Sequence, residues 1–139
     1  MRREDGFTLV ELLVVMLIIG MLAAIAIPSF FNQSEKARDV RAKTAVRSAQ
    51  TAAETIATDN GGRYDGAGGV TVANLVGVEP TLSNANLIVP AVGAKTYTVR
   101  VISSTGNVFD IQRFADGHSD ATCQAVGVAG CPPSGEWER

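Results

Sequence analysis

The feature that most constrains this chain is a long apolar stretch near its start, which carries a single charge. The stretch covers residues 6–28 and reads GFTLVELLVVMLIIGMLAAIAIP, with Glu11 as its only charged residue. The run from Leu12 to Ile27 contains sixteen consecutive uncharged residues. Together with the apolar residues before it, this run approaches the ~20 residues that a membrane-spanning helix needs. We therefore expect a helix that enters a bilayer.

Two ordinary interpretations of this stretch leave Glu11 without a purpose. A secretory signal peptide has a basic start and an A-x-A-like exit, and Arg2, Arg3 and residues 24–26 resemble these. The apolar run is longer than the usual signal core of roughly 7–15 residues, and Glu11 interrupts its start. A simple membrane anchor also has no use for the charge, since a carboxylate inside a bilayer costs about 2.5–3.5 kcal/mol.

A third interpretation gives the carboxylate a role. If the chain is cut after Gly6, the new amino terminus is Phe7, and Glu11 lies four residues further on, on the same face of a helix. Thr8 and Glu11 also have the spacing of a capping box, which would start the helix at Thr8. If the amine belongs to a neighbouring chain, its pair with Glu11 fixes how two apolar helices are staggered.

The segment GFTLVEL, following a short charged leader and opening a long apolar helix, resembles the type IV prepilin signature. That signature is shared by type IV pilins and by the pseudopilins of type II secretion and competence systems. The resemblance implies that a membrane prepilin peptidase cuts between Gly6 and Phe7 and methylates the Phe7 amine. It also implies that Glu11 neutralises the amine of an adjacent subunit, and that an assembly ATPase and a platform protein build the filament.

The charge distribution around the apolar stretch bears on topology. The chain has a formal net charge of −2, but basic residues cluster directly after the stretch. We call this cluster the basic collar, and it consists of Lys36, Arg38, Arg41, Lys43 and Arg47. By the positive-inside rule it would be cytoplasmic. The family resemblance and the cysteines favour the opposite topology. The expected protein crosses the cytoplasmic membrane once, with its N-terminus in the cytoplasm and its head outside. After assembly the subunit is expected in an extracellular pilus.

Two residues are weak points of the apolar helix. Pro28 removes the hydrogen bond to the carbonyl of Ala24, and Gly20 costs roughly 1 kcal/mol against alanine. We expect a gentle kink in the free subunit. In filaments that the sequence resembles, the segment between these positions loses helicity, so Gly20–Pro28 is the candidate for local melting on assembly.

Beyond Pro28 a helical pattern resumes, and a β-rich head is expected to follow it. Small apolar residues recur at three- and four-residue steps, at Ala42, Ala45, Ala49, Ala52 and Ile56. We expect this face to lie against a sheet and the helix to end near residues 59–62, DNGG. The stretch 70–78 is expected to be a connector with a short strand or turn.

The clearest strands lie in the second half of the chain. Alternation predicts a hairpin over Tyr97–Arg113, whose three-residue loop 104–106 sets Val101 opposite Phe109, Val99 opposite Ile111 and Arg100 opposite Asp110. A short edge strand is expected over 87–89, ended by Pro90, and a further strand over 121–126.

The remaining chemistry of the sequence is sparse. Cys123 and Cys131 with the single histidine, His118, give three ligands where a structural zinc site needs four. A disulfide between the two cysteines is the better use of them. The DGHSD segment at 116–120 is expected to be a turn. Its acidic residues could bind calcium, but the segment lacks the length and the number of ligands of an EF-hand loop. We expect no enzyme activity, no metal and no cofactor.

These inferences predict an α+β chain with a pilin fold. Its expected parts are a leader at 1–6, an apolar transmembrane helix at 7–28, an amphipathic helical half at 29–60, and a β-rich head at 61–139 with a C-terminal disulfide loop. The expected function is a pilus subunit that forms a homopolymer for attachment, motility or DNA uptake. The alternatives are a type II secretion pseudopilin and a membrane-anchored binding module whose collar contacts lipid or nucleic acid.

Overall fold

The computed structural model describes residues 6–138, and the expected leader lies outside these residues apart from Gly6. The elements in chain order are helix α1 Leu9–Asp59, helix α2 Val72–Val78, a 3-10 helix Pro80–Asn84, and strands β1 Leu87–Val92, β2 Tyr97–Ile102, β3 Val108–Arg113 and β4 Ser119–Cys123. The chain separates into two compact units, one ending at Ser34 and the other beginning at Glu35. The fold is α+β, as the sequence predicted.

The first unit contains the apolar part of α1. Its large apolar side chains between Leu9 and Phe31 are each 48–79% exposed. The helix is long and apolar enough to cross a membrane, with a mean hydropathy of 2.8 over its most apolar window. Burying one such side chain is worth about 1.5–3 kcal/mol, so sixteen of them outweigh the whole 5–15 kcal/mol stability of a typical domain. This surface therefore requires lipid or other protein around it.

In the second unit, α1 packs on the sheet through the small residues that the sequence indicated. Ala42, Val46, Ala49 and Ala53 are buried against the sheet. Small side chains allow a helix backbone to lie close to its neighbour, which explains why alanine recurs on this face. The helix ends where the DNGG segment predicted, and the amide of Gly62 donates to the carbonyl of Ala57 at 2.7 Å.

The four strands form one antiparallel sheet in the order β1-β2-β3-β4. The predicted hairpin register is confirmed: Val101 lies opposite Phe109, Val99 opposite Ile111 and Arg100 opposite Asp110. Gly106 has φ 86°, the left-handed conformation that the third loop position requires. The side chains facing α1 alternate with outward ones, so β2 and β3 supply the centre of the core.

Three expectations about the head were wrong. Strand β1 does not end before Pro90; it continues to Val92, because a bulge between Ile88 and Ala91 lets an edge strand accommodate a residue without an amide. The stretch 70–78 forms helix α2, started by Thr71, whose hydroxyl accepts from the Asn74 amide at 3.1 Å. Strand β4 covers Ser119–Cys123 instead of 121–126: it begins inside the turn expected over 116–120 and ends where the disulfide loop begins.

The C-terminal tail covers the outer edge of β4. The amide of Cys123 donates to the carbonyl of Gly135, and that of Trp137 to the carbonyl of Ala121. The indole of Trp137 packs edge-on against Phe109, with ring centroids 6.1 Å apart. An unpaired strand edge invites pairing with other chains, so this tail protects β4 from such contacts.

Candidate assembly site

Glu11 is held in place by the first turn of its own helix. The Thr8 amide and hydroxyl both donate to one carboxylate oxygen of Glu11, at 3.1 and 3.0 Å, and the Glu11 amide donates to the Thr8 hydroxyl at 3.2 Å. This reciprocal pattern is the capping box that the sequence indicated. It satisfies amides that the start of a helix leaves unpaired, and it fixes the direction of the Glu11 side chain.

The cap does not neutralise the charge of Glu11. Within residues 6–138 no ion pair reaches this carboxylate. Gly6 and Phe7 directly precede the cap and are both exposed, Phe7 at 85%. The expected cleavage position, Gly6–Phe7, thus lies directly before the cap, four residues ahead of a carboxylate that no ion pair within residues 6–138 neutralises.

The two expected weak points lie inside a continuous helix. Helix α1 runs through Gly20 and includes Pro28 as an internal residue. A methyl group added at Gly20 would meet no atom within 4 Å. Packing within the chain therefore does not require glycine at position 20.

Asp39 is the second unusual carboxylate of α1, and sequence reasoning did not single it out. It is 0% exposed. The Thr105 hydroxyl donates to it at 2.6 Å, the Gly130 amide at 2.9 Å and the Asn107 side-chain amide at 3.2 Å. Burial raises the pKa of this carboxyl, but hydrogen bonds from Thr105, Ser103, Gly130 and Asn107 outweigh burial and hold the pKa below its ordinary value.

The donors to Asp39 come from two loops that the helix must hold. Thr105 and Asn107 lie in the β2–β3 loop, and Gly130 lies in the loop closed by the disulfide between Cys123 and Cys131. The disulfide confirms the predicted cysteine pair. A Cβ at position 130 would lie 2.5 Å from the Asp39 Cβ, so only glycine permits this approach. Asp39 therefore fixes both loops on α1.

A tyrosine pair and a glutamate form a further polar contact that the sequence did not reveal. The hydroxyls of Tyr64 and Tyr97 donate to the two oxygens of Glu54 at 2.8 and 2.9 Å, and Arg113 lies 3.7 Å from Glu54. Burial, followed by the Glu54 charge, raises the pKa of Tyr97. Tyr64 and Tyr97 therefore remain protonated donors that join the loop after α1 and strand β2 to the helix.

Part of the basic collar is used within the head. Lys43 lies over the rings of Phe109 and Trp137 at 5.5 and 5.6 Å, and Arg47 lies over Trp137 and pairs with Glu138 at 2.8 Å. Burial lowers the pKa of Lys43, and the charge of Asp39 opposes this effect. These contacts hold the C-terminal tail against α1.

His118 lies in the predicted turn and is exposed. Its ring nitrogen lies 2.6 Å from Asp116, and the ring stacks on Phe114. In the part of the chain that the structure describes, no group of three or more histidine, cysteine, aspartate or glutamate side chains could hold a metal ion.

Comparison with known proteins agrees with the geometry of the helix start. A family model described as the prokaryotic N-terminal methylation motif matches residues 1–27. The type IV major fimbrial protein FimA of Dichelobacter nodosus is 35% identical over 106 residues, which cover 75% of this chain and 68% of that protein. The chain therefore belongs to the type IV pilin and pseudopilin family.

Further relatives come from both branches of the family. The type IV major pilin protein PilA of Myxococcus xanthus is 38% identical over 82 residues, 59% of this chain and 34% of PilA. The type II secretion system core protein G of Vibrio cholerae is 37% identical over 60 residues, 43% of this chain and 41% of that protein. The chain spans about a third to a half of the length of several of the relatives that it matches. No solved structure matches the chain significantly.

Proposed function

We propose that this chain is a structural subunit that polymerises into a type IV pilus. The observation that carries the proposal is Glu11, an unneutralised carboxylate in the first turn of an apolar helix, four residues after Phe7. Cleavage at this junction creates an amine at Phe7. The amine of one subunit then pairs with Glu11 of the next, so that two unfavourable charges in an apolar setting satisfy each other.

The energetic logic of assembly follows from the exposed apolar half of α1. Before assembly this surface lies in membrane lipid, and afterwards in the filament core. Lipid tails are as apolar as the side chains, so the transfer itself provides little driving force between helices. Packing and the pair between Glu11 and the amine must set the register. Extraction from the membrane then depends on a motor ATPase and a platform protein.

The pilus is favoured over the secretion pseudopilus by the relatives and by the head. Major pilins and fimbrial proteins are among the relatives, alongside core protein G. The disulfide loop at the C-terminus and the lack of a metal cluster within residues 6–138 also fit a pilus subunit better. A membrane-anchored binding module remains the weaker candidate, because it gives Glu11 no role.

We further propose that the head lies outside the cytoplasmic membrane. The disulfide between Cys123 and Cys131 supports this side, because disulfides persist in oxidising compartments. The basic collar opposes it by the positive-inside rule. Protease added to spheroplasts should digest the head while leaving the apolar helix protected. A head that survives the protease would contradict this topology.

Local melting on assembly is part of the proposal. Residues 20–28 are helical in the single chain, and Gly20 and Pro28 weaken that helix. Replacing both with alanine should strengthen the helix in membranes and reduce fibre yield. Hydrogen exchange of the backbone amides of residues 20–28 measures the transition. In the native chain the exchange should be slow in the membrane and faster in fibres. Equal exchange in the two states would contradict melting.

Replacing Glu11 with alanine tests the assembly role. The Glu11→Ala variant should stay in the membrane in normal amounts and be lost from shed fibres. Glu35→Ala is the matched control, since Glu35 is an exposed acid on the same helix beyond the apolar stretch. Immunoblots of membrane and shed fractions measure both. Normal fibres from Glu11→Ala would contradict the proposed function.

A further inference from the structure

We propose that successive heads in the filament contact one another end to end, with an acidic turn of one copy lying in an arginine-lined groove of the next. This inference rests on the proposed homopolymer and goes beyond the contact made by Glu11. It concerns the second compact unit alone, which begins at Glu35.

Here the head means the whole second unit, from Glu35 onward. Its two ends are defined by contacts between α1 and the sheet. The loop entering β3 bonds to Asp39 through Thr105, and the last residue of β3, Arg113, lies 3.7 Å from Glu54. Strand β3 therefore runs along α1 from Asp39 towards Glu54. We call the Asp39 side the lower end and the side that includes Asp59, the last residue of α1, the upper end.

The lower end carries unpaired positive charge. Lys36, Arg38 and Arg41 are exposed, and none of them makes an ion pair within residues 6–138. Glu35 is an exposed acid beside them, and Glu136 and Glu138 line a groove with Lys36, where Glu138 pairs with Arg47. Asp39 is buried and bonded to its own loops. The lower end therefore has an excess of cations that the subunit itself does not neutralise.

Two of these cations lie in a groove whose walls combine apolar side chains of α1 and β2 with polar ones. The groove has a volume of about 280 Å³ and is lined by Arg38 and Arg41 together with polar side chains of the 3-10 helix, the residues after it and the β2–β3 loop, among them Thr81, Asn84, Asn86 and Ser104. No carboxylate lies among its lining residues. Guanidinium groups beside neutral hydroxyls and amides are suited to receive a carboxylate side chain.

The upper end carries the complementary charge. Asp116 and Asp120 lie in and beside the β3–β4 turn with side chains 69% and 55% exposed, and Asp59 is exposed at the end of α1. His118 lies between the two turn aspartates, 2.6 Å from Asp116 and 3.8 Å from Asp120.

The cations of the upper end have partners within the subunit. Arg63 pairs with Asp65 at 2.8 Å, Arg113 lies 3.7 Å from Glu54, and the Lys95 ammonium donates to the Gly62 carbonyl. A carbonyl does not neutralise Lys95, so the exposed charge that remains at the upper end is Asp59, Asp116 and Asp120 against Lys95, which is predominantly acidic.

Opposite charges at opposite ends favour one kind of assembly. An open filament needs two different surfaces that fit each other, because contacts between identical surfaces close into a two-fold dimer. Here like ends repel, and the lower end of one copy attracts the upper end of another. The arrangement therefore favours head-to-tail growth and fixes the polarity of the filament.

Charge reversal at each end tests the inference. The lower variant carries Arg38→Glu and Arg41→Glu, and the upper variant carries Asp116→Lys and Asp120→Lys, each in the full chain. Each variant alone should lose fibre yield about tenfold, since its two ends now carry like charge. The two variants expressed together should recover fibres, because the acidic ends of one match the basic ends of the other.

Salt dependence and milder variants complete the test. Fibre yield from the native chain should fall as the salt concentration rises above 0.15 M. At that ionic strength the Debye length is about 8 Å, and more salt screens the attraction between the charged ends further. Arg38→Gln with Arg41→Gln should reduce fibres less than the reversed pair. Recovery in the mixture also shows that both variants fold, and Trp137 fluorescence checks each variant alone.

The contradicting outcomes are distinct. Undiminished fibres from either reversed variant would overturn the inference while leaving the pilus proposal intact. Loss in the lower variant without recovery in the mixture, with both heads folded, would assign the arginines to another partner such as anionic lipid headgroups, and would also overturn it. Absence of fibres from the native chain in a pilus-assembling cell would contradict the pilus proposal itself.

Discussion

Two of the carboxylates of helix α1, Glu11 and Asp39, have opposite environments. Asp39 is fully buried and receives hydrogen bonds from two loops of its own chain. Glu11 is exposed on an apolar surface, and among residues 6–138 its carboxylate is bonded to Thr8 alone, one turn back. One carboxylate is satisfied within the subunit. The other has capacity left for a group that the subunit does not provide.

The same difference distinguishes the two units of the chain. From Glu35 onward, α1 buries its small residues on a sheet, and the large side chains of Phe109, Tyr97 and Leu75 are sealed in the core. From Phe7 to Phe31, the large apolar side chains are exposed. The unit from Glu35 onward therefore has a core of its own, whereas the apolar unit requires lipid or other protein around it.

The largest expected effect on the head comes from replacing Asp39. Asp39→Ala leaves the buried Asn107 amide and the half-buried Thr105 hydroxyl and Gly130 amide without this acceptor, which should lower the free energy of unfolding by about 3 kcal/mol. Urea unfolding in detergent, followed by the fluorescence of the single tryptophan, Trp137, measures it. Glu11→Ala should leave this unfolding curve unchanged. A similar loss in both variants would break the distinction between the two carboxylates.

Removing the disulfide should have the next largest effect. Cys123→Ser with Cys131→Ser frees a small loop, and the chain-entropy model gives a loss of about 2–3 kcal/mol. The same urea experiment measures it, with and without Asp39→Ala. Since Gly130 in this loop bonds to Asp39, the two losses should not add fully. Strict additivity would show that Asp39 and the disulfide act independently.

What the sequence predicted and what it missed can be traced to particular residues. The register that sets Val99 opposite Ile111 was predictable because a one-residue slip would expose every core side chain. The capping box at Thr8 was predictable because its partners are three residues apart. Helix α2 was missed because seven residues are too few for a helical period to be recognised.

The contacts of Asp39 were missed for a different reason. Its donors lie 66 to 91 residues further along the chain, and only the folded structure brings them together. A signal was nevertheless present. Asp39 lies three residues before Ala42 and seven before Val46, on the buried face of α1. A charged residue in register with a core face indicates a buried polar contact.

A smaller effect is expected at the helix start. Thr8→Val removes the hydroxyl that bonds to Glu11 while keeping the shape of the side chain, and the loss of a cap costs about 1 kcal/mol. Hydrogen exchange of the first-turn amides in detergent should become faster, and Thr8→Ser should restore protection. The head should be unaffected in both variants. Unchanged exchange in Thr8→Val would show that the cap does not hold the helix start.

The smallest effect is expected from pH. The pKa of Asp39 is lower in the folded chain than its ordinary value of 3.8, so its charged form stabilises the head. This contribution is complete above about pH 4 and is lost as the pH falls through the lowered pKa. Between pH 5 and 8 Asp39 should contribute no slope to head stability. Comparing the native chain with Asp39→Asn from pH 2 to 6 isolates the contribution, and identical slopes would contradict it.

The most direct test of the central claim is the mass of the subunit recovered from shed fibres. Fibres should be visible by electron microscopy, and intact-mass and fragment spectra of their subunit should give a chain that begins at Phe7 with one methyl group on its amine. Such a chain, present in fibres and lost from them in Glu11→Ala, is the predicted result. A fibre subunit that retains residues 1–6, or a processed chain that never leaves the membrane, would contradict the account.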